Sequence, residues 1–157
     1  MGTHYQGTPT ETRALDAYIK LMRAANSVSA RLERRLVALG LTENQFGVLE
    51  TLLHLGPLNQ RDLGRKLFSS GGNITMIVDN LEKRCLVRRM RDTTDRRFVT
   101  VYLTDEGRGL IGSIFPGHVS AIVEELAALS ADEQDGLGTL CKKLGRRDAA
   151  ISATGAP

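Results

Sequence analysis

Apolar residues fall at helical spacing along most of the chain and change to strand spacing once. From about Glu11 to Leu39, the residues Leu15, Ile19, Met22, Leu32, Leu36 and Leu39 recur mostly three or four apart, no proline intervenes, and Gly40 follows as a stop. So long a helix with one apolar face needs a partner along its length, so residues 11–40 are expected to be a dimerisation helix. Thr42-Glu43-Asn44-Gln45 has the form of a capping box ahead of Phe46, Leu49, Leu52 and Leu53, and Gly56-Pro57 closes that helix. Asn59 is the expected cap of a short helix through Phe68, with Leu63 and Leu67 inward. After the turn Ser69-Ser70-Gly71-Gly72, with Ser70 as cap, a third helix is predicted from about Gly72 to Arg84. Ile74, Val78, Leu81 and Cys85, at i, i+4, i+7 and i+11, share one face, while Asn73, Thr75, Met76, Asp79, Asn80 and Lys83 lie opposite.

Two short helices joined by a tight, glycine-containing turn form a helix-turn-helix unit. The period then becomes two. Leu86 to Met90 and Phe98 to Leu103 read as strands, with Val99, Val101 and Leu103 alternating with Thr100 and Tyr102. The polar run Arg91-Asp92-Thr93-Thr94-Asp95-Arg96-Arg97 between them is a hairpin tip, and a hairpin at this place in the order is a wing. Thr104-Asp105-Glu106-Gly107 caps a further helix, whose apolar stripe continues to Leu129 and which Pro116 is expected to kink. Ser130-Ala131-Asp132-Glu133 opens a last helix with Leu137, Leu140 and Leu144 inward. The expected architecture is mainly α with a small two- to three-stranded β wing. It divides into a disordered tail over 1–10, a dimerisation helix over 11–40, a winged helix-turn-helix over 41–103, dimerisation helices over 104–148 and a disordered tail over 149–157.

Composition narrows the class. There is no Trp, with three Tyr and four Phe, so the core is aliphatic, as suits helices. No apolar run is long enough to span a membrane, the first residues lack the pattern of a secretory signal, and the two cysteines fit a reducing cytoplasm. The net charge of +3 is unevenly placed: residues 59–103 carry 10 basic and 5 acidic side chains, whereas residues 104–157 carry 5 basic and 8 acidic. A basic middle segment between near-neutral and acidic flanks fits either a polyanion contact or a solvated face. No nucleophile–base pair, phosphate loop or metal-ligand spacing is visible, His4, His54 and His118 included, so neither an enzyme nor a cofactor is expected. A winged helix used only for protein contacts would have no use for paired arginines at its tip.

The residues Gly64-Arg65-Lys66-Leu67, the run from Gly72 to Arg84, the wing Asp92-Thr93-Thr94-Asp95-Arg96-Arg97 and the close Leu103-Thr104-Asp105-Glu106-Gly107 together resemble the MarR family of bacterial regulators, over about residues 11–147. The resemblance implies a homodimer joined by the helices of both termini, reading a pseudo-palindromic duplex and most often repressing genes until a small aromatic or phenolic ligand, an antibiotic or an oxidant is sensed. Ser70, Asn73, Thr75 and Met76 would face base edges, and Arg96 or Arg97, braced by Asp95, would enter the minor groove. Arg61, Arg65, Lys66, Lys83, Arg88 and Arg89 are candidates for phosphate contacts. An effector pocket, where similar proteins have one, would lie near Tyr18, Met22, Phe46, His54 and His118, each of which also reads as plain core or surface. Cys85 stands where the family usually has Gly, at a left-handed helix stop, so the helix end is expected to be shaped differently there. Arg84, Arg88 and Arg89 would favour its thiolate while the helix terminus opposes it, which leaves redox sensing through Cys85 as the alternative.

Overall fold

A computed structural model describes residues 4–67, 71–91 and 98–145. Among the described residues, six helices and three strands follow in the order α1 (Pro9–Ala38), α2 (Glu43–Leu55), β1 (Leu58–Asn59), α3 (Gln60–Lys66), α4 (Gly71–Lys83), β2 (Val87–Arg91), β3 (Val99–Leu103), α5 (Asp105–Leu126) and α6 (Ala131–Gly145). Two compact units divide between Val119 and Ser120. No single helix among the described residues is long and apolar enough to cross a membrane.

Local chemistry sets the helix ends. α1 begins at Pro9, inside the segment 1–10 expected to be a tail. The Thr8 hydroxyl accepts from the Glu11 amide at 3.3 Å, and the Glu11 carboxylate accepts from the Thr8 amide at 2.8 Å, so Thr8 and Glu11 form a capping box with proline at the first helical position. The Thr8 amide and the Thr8 hydroxyl, which also donates to the carboxylate at 2.8 Å, hold the Glu11 carboxyl below its usual range. Thr42 and Gln45 make the expected box at the start of α2, and Ser130 and Glu133 make theirs at the start of α6. Gly40 ends α1 with φ +75°, and the amide of Leu41 reaches back to the Leu36 carbonyl at 3.0 Å. α5 continues past Pro116, which has no amide hydrogen to give the preceding turn.

The core lies in the first unit. Leu36 of α1, Phe46, Val48, Leu49 and Leu52 of α2, Leu63 of α3, and Ile74, Ile77, Val78 and Leu81 of α4 pack with Val87, Val101 and Ile111. The sheet is antiparallel in the order β1-β3-β2. β1 is only Leu58 and Asn59, paired to Val101 and Thr100, too short for any period to announce. Asn59 is also the cap expected of it, its side chain accepting from the Arg61 amide at 2.9 Å. The α6 residues Leu137, Leu140 and Leu144, expected inward, are exposed, and α6 has no buried residue. Among the described residues, nothing covers them.

Where α4, the wing and α5 meet, three features interlock. Cys85 keeps the left-handed conformation that glycine would favour, at φ +58°, so the helix end is not reshaped as expected. Its amide donates to the Glu82 carbonyl at 2.9 Å and the Leu86 amide donates to Leu81 at 3.0 Å, a Schellman stop with Leu81 and Leu86 both buried. The Thr104 hydroxyl donates to the Cys85 carbonyl at 2.6 Å and accepts from the Gly107 amide at 3.0 Å. A left-handed non-glycine residue costs about 1–2 kcal/mol, whereas glycine frees the unfolded chain by about 0.4–1 kcal/mol. Cys85→Gly should therefore raise stability by roughly 1 kcal/mol. Urea unfolding is the check, and a loss of stability would mean that the thiol contributes packing the strain argument leaves out.

Candidate nucleic-acid interface

α3 and α4 supply the helix pair, and β2 and β3 the stem of the wing. Burial of Ile74, Ile77, Val78 and Leu81 turns the other side of α4 outward, where Thr75, Met76, Asn80 and Lys83 are exposed. Asn73 is half-buried and makes an interaction within the chain. Arg65 and Lys66 occupy the last turn of α3; Arg65 is ion-paired to Asp62 at 3.2 Å, with both side chains exposed. Arg61, Lys83 and Arg88 are exposed as well, and the Arg88 guanidinium lies 5.2 Å over the ring of its cross-strand partner Tyr102. Ser70, Asp95, Arg96 and Arg97 lie outside the described residues.

Arg89 is not the phosphate contact expected from its charge. It points from β2 toward the two helices and is the hub of a polar network. Nη1 donates to Asp79 at 2.5 Å and Glu82 at 3.1 Å, Nε to the Gln60 side chain at 2.9 Å, and Nη2 to the Thr75 carbonyl at 3.1 Å. Its own amide donates to Glu82 at 2.8 Å. Gln60 closes the loop by donating to the Thr75 hydroxyl at 2.9 Å. The planar guanidinium thus fastens the wing strand to α4 and both to the first residue of α3. The outward face of α4 consequently has a fixed position relative to the wing stem. Asp79, placed on the outward face by helical spacing, is turned toward Arg89. Gln60, Asp79 and Glu82 carry no sequence signal for this site, because only the fold brings residues 60, 75, 79, 82 and 89 together.

Arg84 also has a structural task. It donates to the Gly40 carbonyl at 2.7 Å, tying the end of α4 to the turn after α1. Cys85 is exposed, but two of its three neighbouring arginines, Arg84 and Arg89, are engaged elsewhere.

A second feature of the first unit is a cleft of about 270 Å3 whose lining includes Leu32, Leu36, Phe46, Glu50, Leu67 and His118. The His118 ring lies 4.2 Å from that of Phe46, and Phe115 packs 4.8 Å from His54 and 6.5 Å from Phe46. Burial holds the His118 imidazole below its ordinary range, against the opposing pull of Glu50 and Glu43. Of the residues expected near a pocket, Phe46 and His118 line this cleft, while His54 is not among the lining residues and packs against Phe115. Tyr18 and Met22 are not among the lining residues; both are exposed on α1, Tyr18 at 60%. They sit several turns from Leu32 and Leu36, the α1 residues that do line the cleft.

A helix-turn-helix followed by a two-stranded wing, which β1 extends to a three-stranded sheet, with an outward polar helix face, defines a winged-helix protein. Residues 41–99 match the MarR family. The regulator MhqR of Bacillus subtilis is 34% identical over 133 residues, which is 85% of this chain and 92% of that protein. The chain belongs to the MarR family, as a transcriptional regulator. Among solved structures, Sco3205 of Streptomyces coelicolor, a MarR family regulator in complex with DNA, superposes with a TM-score of 0.81 at 23% identity, covering 92% of each chain. BpsR of Bordetella bronchiseptica, described for the regulation of its DNA binding by 6-hydroxynicotinic acid, superposes with a TM-score of 0.76 at 25% identity, covering 82% of this chain and 98% of its own.

Proposed function

We propose that the protein is a homodimeric repressor that reads a pseudo-palindromic duplex operator in the cytoplasm and releases it when a small aromatic or phenolic ligand binds. The observation that carries the DNA reading is the outward face of α4, held by Arg89 in a set position beside the wing stem. Short polar side chains on a helix can reach base edges in a major groove, and Asn73, Thr75 and Met76 are the residues assigned to that task, with Ser70 at the start of the helix. Lys66, Arg65, Arg61, Lys83 and Arg88 take phosphates, and Arg96 or Arg97 beside Asp95 takes the minor groove. The DNA complex of Sco3205 supports the placement through its shared fold.

Dimerisation is supported by apolar side chains that the single chain leaves uncovered: Tyr18, Leu21 and Met22 on α1, and Leu137, Leu140 and Leu144 on α6. A second copy covers them. The ligand reading is supported by the cleft beside Phe46 and His118, which reaches Leu67 at the end of α3 and so touches the helix pair that reads DNA. A ligand there is well placed to shift the reading helices. BpsR, whose DNA binding is regulated by a small aromatic acid, supports the general scheme.

One titration series tests the DNA reading. A dimer that pairs on the order of 6–10 phosphates with its cations should lose affinity steeply with log salt. Lys66→Ala should flatten that slope by about one for each phosphate left without its cation, and weaken all sequences alike. Asn73→Ala should leave the slope nearly unchanged and narrow the gap between a duplex selected from a random pool and unselected DNA. The reverse pattern would take α4 out of the groove.

A further inference from the structure

The cleft holds two carboxylates that the DNA-reading surface does not use. Glu43, Phe46, Gly47 and Glu50 recur at i, i+3, i+4 and i+7, so one face of α2 floors the cavity. A core-facing stripe would carry apolar residues at all four positions; here its two ends are acidic. Glu50 is half-buried, and neither Glu43 nor Glu50 has a hydrogen bond or ion pair among the described residues. The lining includes no Lys or Arg among the described residues. His118 faces Glu50, and burial favours its neutral form, so it does not supply the missing cation. Gly47 keeps the floor low between the two acids, and a Cβ there would already stand 3.1 Å from the Leu67 side chain. The result is a small cleft lined by the rings of Phe46 and His118, tilted 44° to each other, with uncompensated negative charge at its floor.

We propose that this cleft binds a positively charged one- or two-ring aromatic amine, its ring against Phe46 and its ammonium on Glu50, and discriminates against an aromatic carboxylate of the same shape. Glu43, two turns away on the same face, adds attraction at longer range. A half-buried carboxylate is poorly screened by water, so an ammonium gains more there than at the surface. A ligand carboxylate brings a third negative charge and finds no cation to meet it. The size fits: a cavity of about 270 Å3 is small for a ligand site and leaves room for a compact aromatic molecule rather than an extended one. The assignment rests on the reading of the cleft as the effector site and names the class of effector it takes.

The test uses two probes with the same rings and opposite charge, 1-naphthylmethylamine and 1-naphthoate. Each is titrated by calorimetry into the full chain at neutral pH and low salt, then added to the protein bound to a duplex selected from a random pool. The amine should bind at least about tenfold tighter than the carboxylate. Glu50→Gln, which keeps the shape of the side chain, should cut the amine's affinity by about tenfold and raise the carboxylate's. Glu43→Gln should move both in the same directions by less. Unfolding curves of both variants confirm that the fold is intact. A carboxylate that binds as tightly as the amine, an amine that does not bind, or an amine unaffected by both substitutions overturns the assignment. DNA retention is read separately. An amine that binds with these preferences but leaves DNA affinity unchanged supports the charge assignment and sinks the effector reading. A carboxylate that binds more tightly and releases DNA does the opposite.

Discussion

Gly107→Ala is expected to cost the fold about 3 kcal/mol or more, a large share of the roughly 5–15 kcal/mol that holds a domain together. A Cβ at this position would stand 1.9 Å from the Leu86 carbonyl oxygen and 2.9 Å from its carbon. Both are backbone atoms, so no rotamer change relieves the clash. The first turn of α5 would have to lift away from the start of the wing. That movement would break the Thr104 hydroxyl bonds to the Cys85 carbonyl and the Gly107 amide, and the bond from the Thr104 amide to Leu86. Gly109→Ala provides the contrast. It lies two residues further along the same helix with nothing within 4 Å of its added Cβ, so helix propensity alone should stabilise by about 0.5–1 kcal/mol. Urea unfolding of the two variants should therefore move in opposite directions. Equal and small effects would show that the Leu86 carbonyl is not the constraint.

Arg89→Ala should destabilise by about 2–3 kcal/mol and weaken DNA binding beyond what its one missing charge explains. Removal strands two carboxylates, a side-chain amide oxygen and the Thr75 carbonyl at once. The guanidinium is only 21% exposed, but Asp79 and Glu82 retain 46% and 39%, so water recovers part of the loss and the cost stays below that of a fully buried pair. Arg89→Lys should recover little, because one ammonium cannot serve four acceptors on two helices as the planar fork does. Retention of both stability and DNA affinity in Arg89→Lys would reduce the network to a simple charge pair.

Periodicity and end signals made most of the fold legible, because they are local. Thr42 with Gln45, Ser130 with Glu133, and Gly40 were each readable from a few neighbouring residues, and each acts as expected. The start of α1 carried the same kind of signal in Thr8, Pro9 and Glu11, but the polar residues around it read as a tail. β1 was hidden for a different reason: a two-residue strand has no period, and only pairing with Val101 and Thr100 defines it. At the candidate site, charge identified a basic segment but not which cations were committed. Arg89 and its neighbour Arg88 look alike in sequence, yet one is the hub of a five-residue network and the other lies over Tyr102. Likewise, Leu140 looks like core by spacing, and only its exposure among the described residues makes it a surface residue.

The Arg89 clamp separates two tasks that a basic helix would combine. α4 carries two acids, Asp79 and Glu82, against one cation, Lys83, and would by itself repel a polyanion. With Arg89 between the acids, the helix is close to electrically silent. The field that an approaching duplex meets first then comes from its flanks, from Lys66 and Arg61 on α3 and Arg88 on β2. Long-range attraction governs how often encounters occur, and short-range fit governs how long they last. On the proposed reading, the residues that hasten encounter and those that decide residence belong to different elements, so each can change without resetting the other.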